Sequence, residues 1–133
     1  MKSIKVDEAT GTTLDWAVAK ALGVPVEVTA SSPPVVRLIN LWDMFEVGVR
    51  SWAFTPTTHW AQGGPIIERE NISLASQSTR WAEFWQADIG HSSKFTQWDH
   101  KPLIAAMRCY VMSKLGETVE VPEELLNASH LTN

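Results

Sequence analysis

Apolar residues repeat at helical spacing in two stretches of this chain. From Thr13 to Leu22, Leu14, Ala17, Val18, Ala21 and Leu22 share one face, the pattern of an amphipathic helix. Thr12 followed three residues later by Asp15 suggests a capping arrangement at its start. Gly23-Val24-Pro25 supplies a left-handed cap, an apolar residue and a stop. The second helix is predicted from Pro102, a favoured first helical position, to Leu115 before Gly116. Leu103, Ile104, Met107, Val111 and Leu115 form its apolar face, while Ala105, Ala106, Cys109 and Met112 populate the other side. So little of it is polar that it should pack on two sides.

Between and after these helices the pattern changes. Val26 to Thr29 alternates like a short strand, and Ser31-Ser32-Pro33-Pro34 is a turn too short to separate domains. From Val35 the apolar residues suit a short helix to about Phe45, a break at Gly48 and a strand to Phe54. Trp60 to Pro65 then reads as a shaped loop, and Ile66 to Glu70 as a strand that would form a long hairpin with Val49 to Phe54. Aromatic enrichment predicts a strand over Trp81 to Ala87, whereas the polar stretch Asp88 to Lys101, with Gly90, reads as loop. Val119 to Val121 suggests a last short strand. These elements predict one α+β domain over residues 1–126, two main helices on a small, mostly antiparallel sheet, with 127–133 as a flexible tail.

Composition narrows the function classes. With 44% hydrophobic and 20% charged residues in 133, the chain has enough apolar material for a core. A net charge of -4 and scattered Lys and Arg offer no stripe to track a nucleic-acid backbone. No segment approaches the roughly 18 apolar residues of a membrane helix, and the N-terminus lacks a signal-peptide pattern. One cysteine cannot form an internal disulfide, so a reducing cytoplasm is the simplest compartment. Neither a phosphate-binding nor a dinucleotide-binding glycine motif is present, and the four histidines have no zinc-ligand spacing; no cofactor or metal is implied. Cys109, among Ala105, Ala106 and Met112, reads as a buried, inert thiol.

The segment Trp60-Ala61-Gln62-Gly63-Gly64-Pro65 concentrates an indole, a carboxamide, paired glycines and a proline. The plain reading is a structural turn in which Gly63 or Gly64 takes a backbone region closed to other residues. The functional reading is a pocket: Trp60 or Phe54 stacks on a planar ligand, Gln62 hydrogen-bonds it, and the N–H groups of Gly63 and Gly64, before Pro65, approach an anionic part. Arg69 or Arg108 would supply a cation. Arg69, between Glu68 and Glu70, otherwise belongs to a solvated strand edge; Arg108 is either a snorkelling residue or a charge aimed at the loop. Seven tryptophans exceed what one small core needs, so some should line a surface.

Leu14-Asp15-Trp16-Ala17-Val18-Ala19, Trp60-Ala61-Gln62-Gly63-Gly64-Pro65-Ile66-Ile67 and Pro102-Leu103-Ile104-Ala105-Ala106-Met107-Arg108-Cys109-Tyr110-Val111 occur in that order. Together they resemble the NinX-like proteins of lambdoid bacteriophages and their prophages. Val119 to Leu125 is a weaker match, Ser31 to Ser51 matches less well, and His59 and Lys101 stand where the family more often has an acid and a small polar residue. The resemblance implies a phage accessory protein made in the bacterial host, associated with the nin region, and no particular activity. The expectation is therefore non-enzymatic recognition: a small, nucleotide-like ligand held at the Trp60–Pro65 segment, to counter host signalling or defence. The alternative is an adaptor or inhibitor that binds a bacterial protein through an aromatic surface.

Overall fold

The computed structural model describes residues 1–40 and 52–126. Strands β1 (Lys2–Lys5) and β7 (Thr118–Val121) pair antiparallel, with Ile4 opposite Val119, and so tie the start of the chain to its far end. Helix α1 spans Gly11–Leu22 and buries Leu14, Ala17, Val18 and Ala19. It ends as predicted at Gly23, whose φ of 76° places it in the left-handed region and whose N–H donates to the Ala19 and Lys20 carbonyls. The predicted cap at its start is not formed: Thr10 is the N-cap, no side chain caps the helix, and Asp15 points inward.

Strands β2 (Val26–Val28) and β3 (Val36–Leu38) form an antiparallel pair. The helix expected from Val35 is thus a strand over Val36–Leu38, where alternate burial of Val36 and Leu38 matches a period of two. Residues 52–54 extend this small sheet, since Leu38 N–H donates to the Trp52 carbonyl at 2.7 Å and Phe54 N–H to the Val36 carbonyl at 2.9 Å. The partner of this strand is therefore β3, not Ile66–Glu70. The expected break at Gly48, the start of that strand and the tail 127–133 lie outside the described residues.

Helix α2 covers Trp60–Arg69, overturning both the loop and the strand predicted there. Strands β4 (Ile72–Ser78), β5 (Glu83–Ile89) and β6 (Ser92–Asp99) then form a three-stranded antiparallel sheet. β5 agrees with the aromatic strand expected near Trp81–Ala87; β6 replaces most of the loop expected over Asp88–Lys101. Helix α3 (Pro102–Leu115) has the predicted bounds and lies across this sheet, with α1 packed on it as well. Its Ala105, Ala106, Met107, Cys109, Tyr110 and Val111 are all buried, so the two-sided packing read from its composition is realised. No helix among the described residues is long and apolar enough to cross a membrane.

The sheet has two unlike faces. Register places Ile72 opposite Ile89, Leu74 opposite Ala87, and Ala87 opposite Gln97, and this side meets α3. Gln97 reaches α3 by donating from Nε2 to the Met112 sulfur at 3.5 Å. Alternation then puts Ala75, Gln77, Phe84, Gln86, Thr96 and Trp98 on the opposite face.

Candidate functional site

The turn before α2 is pinned from two sides. The Gln62 carboxamide reaches back to it, with Oε1 accepting from Thr55 N–H at 2.8 Å and Nε2 donating to the Ala53 carbonyl at 3.1 Å. From α1, the Asp15 carboxylate accepts from Thr57 N–H at 3.0 Å and from the Thr57 hydroxyl at 2.8 Å. Burial pushes the Asp15 carboxyl up to about 6, against the opposing pull of the two Thr57 bonds and the nearby His59. Asp15 is thus an interior anchor that no simple motif reveals. Its signal in the sequence is an acid inserted between Leu14 and Trp16 within the buried stretch of a helix.

Helix formation at Trp60–Arg69 defies local propensity, because two glycines disfavour a helix and Pro65 cannot donate to the carbonyl four residues earlier. Tertiary contacts decide the matter. Gln62, Gly63 and Ile66 form the buried face at helical spacing. A Cβ on Gly63 would lie 2.5 Å from the Pro56 carbonyl oxygen and 2.6 Å from Leu103 Cδ2, whereas one on Gly64 would meet nothing within 4 Å. Neither glycine has a positive φ, so the expected backbone strain is absent; Gly63 is required by close approach instead.

This geometry disperses the predicted pocket. Phe54 is in the core, and both ends of the Gln62 amide are engaged by backbone. Gly63 faces Pro56 and Leu103, so it offers no approach to a ligand. Arg69 sits at the far end of α2 from Trp60, about 13 Å along the axis at 1.5 Å per residue, and pairs with Glu70 at 3.0 Å. Arg108 neither snorkels nor reaches α2. It is buried, donating from Nε to the Ala9 carbonyl at 2.8 Å and from Nη1 to Asp99 at 3.2 Å. Trp60 remains exposed beside a groove of about 210 Å³, lined by Thr57, Thr58, Lys101, Pro102 and Leu103 as well. Gly64 and Pro65 lie on the outer side of the same helix. Cys109, by contrast, is buried as expected, and desolvation pushes its thiol up to about 12.

Two further exposed tryptophans belong to the three-stranded sheet. Trp81 is 86% exposed at the β4–β5 turn, where the Thr79 hydroxyl accepts from Trp81 N–H at 3.2 Å and Ala82 N–H at 3.0 Å. The side chain is thus presented on a turn fastened from below, with the Arg80 guanidinium 5.5 Å from its ring centre. Trp98 is 54% exposed on the uncovered face, and its indole N–H points to Gln86 Oε1 at 3.4 Å. Gln86 in turn donates to Asp88 at 3.0 Å, and the Thr96 hydroxyl also bonds Asp88, so the polar groups around Trp98 are held in place. At the same end of the sheet as Trp81, Ser76, Gln77, Ser78, Glu83, Phe84, Trp85 and His100 surround a concavity of about 370 Å³. Large rigid aromatics, a hollow and fixed amide and hydroxyl groups are the ingredients of a recognition surface.

A family model described as Bacteriophage P22, NinX matches residues 5–114, which include α1, α2, the three-stranded sheet and most of α3. No curated protein matches the chain.

Proposed function

The chain belongs to the bacteriophage P22 NinX family, and we propose that this phage accessory protein works in the host cytoplasm by binding a bacterial protein through the open face of its three-stranded sheet. One observation carries the reading. Trp98 is 54% exposed on the face opposite α3 and Trp81 is 86% exposed at the β4–β5 turn, at the end of the sheet where Phe84 and Trp85 border a concavity. Exposed tryptophans are what binding hot spots are made of, and the side chains around Trp98 are already ordered before any partner arrives. The role is recognition, not catalysis: Cys109 is interior, and Asp15 is engaged by Thr57.

A second, small-ligand reading keeps Trp60. The groove beside it joins an exposed indole to the Lys101 side chain and the Thr57–Thr58 turn. At about 210 Å³ it would take one ring or one anionic group, leaving the rest of a nucleotide in solvent.

Affinity capture from infected bacteria separates the two. Tagged wild type should retain a host protein that Trp81→Ala and Trp98→Ala lose and Trp60→Ala keeps, each variant first shown to fold by circular dichroism. Capture indifferent to Trp81 and Trp98, or a retained metabolite lost only with Trp60, would transfer the function to the groove.

A further inference from the structure

Strand β4 is an unguarded edge. It reads Ile-Ser-Leu-Ala-Ser-Gln-Ser, with no charge and no proline, and it pairs with β5 without a register break over all seven residues. Edge strands normally carry a charge, a proline or a bulge, because their free backbone groups invite another strand. The opposite edge, β6, carries Lys94 and Asp99, and the β5–β6 pairing has a shift between Ala87 and Ile89.

The direction of the free groups in β4 follows from its flanks. Gly90 N–H donates to the Asn71 carbonyl and Thr79 N–H to the Ala82 carbonyl, in the same register as the strand pairs. Odd-numbered residues therefore bond β5, and Ile72, Leu74, Ser76 and Ser78 turn their N–H and C=O groups outward. Among the described residues no other strand pairs there.

We propose that a second copy of this chain pairs with β4 antiparallel, β4 against β4, about a two-fold axis through Ala75, fusing the two sheets into one of six strands. A self-pairing is favoured because the edge is complementary to itself in this register. Each outward-facing residue meets another: Leu74 faces Ser76 of the copy, and Ile72 faces Ser78, so every large side chain lies opposite a small one. Ala75 meets its own counterpart, where only two methyl groups approach, and no like charges come together. Isologous pairing of this kind closes at two copies.

Cysteine cross-linking reads both the contact and the register. Cys109 is buried and will not compete. Facing residues in non-hydrogen-bonded antiparallel pairs have Cα atoms about 4.5 Å apart, within disulfide reach. Under mild oxidation Ala75→Cys should give a dimer of doubled mass, and the double variant Ser73→Cys/Gln77→Cys should do so too, whereas Ser73→Cys or Gln77→Cys alone should stay monomeric. Sedimentation of wild type should show a concentration-dependent dimer, weakened at least tenfold by Ala75→Lys and unchanged by Ser93→Lys, an exposed position on the opposite edge strand β6. No cross-link at Ala75, equal cross-linking of the single Ser73→Cys variant, or a wild type that stays monomeric at millimolar concentration would overturn the proposal.

Discussion

Replacing Gly63 by Ala adds a single methyl group, and the structure sets two opposing effects on it. In an open helix position Gly→Ala stabilises by about 0.8–1 kcal/mol, because alanine restricts the unfolded chain and favours the helix. Gly64 is such a position, with nothing within 4 Å of its would-be Cβ. At Gly63 the methyl would stand 2.5 Å from the Pro56 carbonyl oxygen and 2.6 Å from Leu103 Cδ2. The leucine methyl can rotate away within a tight core only at a cost, and the oxygen belongs to a turn held by Asp15 and Gln62. Overpacking of this kind costs about 1–3 kcal/mol, which exceeds the helix-propensity gain. Gly63→Ala should therefore be destabilised by about 1–2 kcal/mol and Gly64→Ala stabilised by up to about 1 kcal/mol, a separation of several degrees in Tm for a domain of this size. Urea and thermal unfolding of both variants beside wild type measure it. Equal stability of the two, or a Gly63→Ala protein more stable than Gly64→Ala, would refute the claim that close approach, not backbone strain, fixes the glycine.

Other consequences follow from the interior polar groups. Asp15 holds its proton to about pH 6 in the folded chain but only to 3.8 when unfolded, so stability falls as pH rises through that window, by about 3 kcal/mol in all. Urea unfolding of wild type against Asp15→Asn from pH 4 to 7 should show the difference moving against wild type by up to that amount; a difference that does not change with pH contradicts the assignment. Arg108→Met should lose about 2–4 kcal/mol in chemical denaturation, since it strips Asp99 and the Ala9 carbonyl of their partner; a loss below about 1 kcal/mol would show that water replaces it. The Cys109 thiol, raised to about 12, should resist labelling at pH 8 in the native protein and react on unfolding; rapid native labelling would contradict its burial.

Where sequence and structure agree, local chemistry and tertiary packing demand the same thing. Gly23 ends α1, Pro102 and Gly116 bound α3, and the Val26 and Val119 strands alternate, each for a reason visible within a few residues. α2 escaped because Gly63, Gly64 and Pro65 all argue against a helix, and only contacts from Pro56 and Leu103, distant in sequence or set in a turn, reward it. β6 escaped because its inward positions include Gln97 and Asp99, polar residues whose partners Met112 and Arg108 lie on α3. The candidate site suffered from the same cause. Gln62 and Arg108 have the chemistry to bind ligands, but their hydrogen bonds are consumed by a backbone N–H, backbone carbonyls and an acid that sequence spacing does not reveal as partners. The surplus of tryptophan did point outward correctly, although it could not say that Trp81 and Trp98 would stand at one sheet while Trp60 stood at a groove.

The claim that recognition belongs to the open sheet face is tested most directly by calorimetric titration of the captured host protein into folded variants. Trp81→Ala and Trp98→Ala should each weaken binding by about 2 kcal/mol or more, roughly thirtyfold. Trp60→Ala should stay within about threefold of wild type, a difference of about 0.6 kcal/mol. Binding that survives loss of both Trp81 and Trp98 but fails without Trp60 would contradict the account.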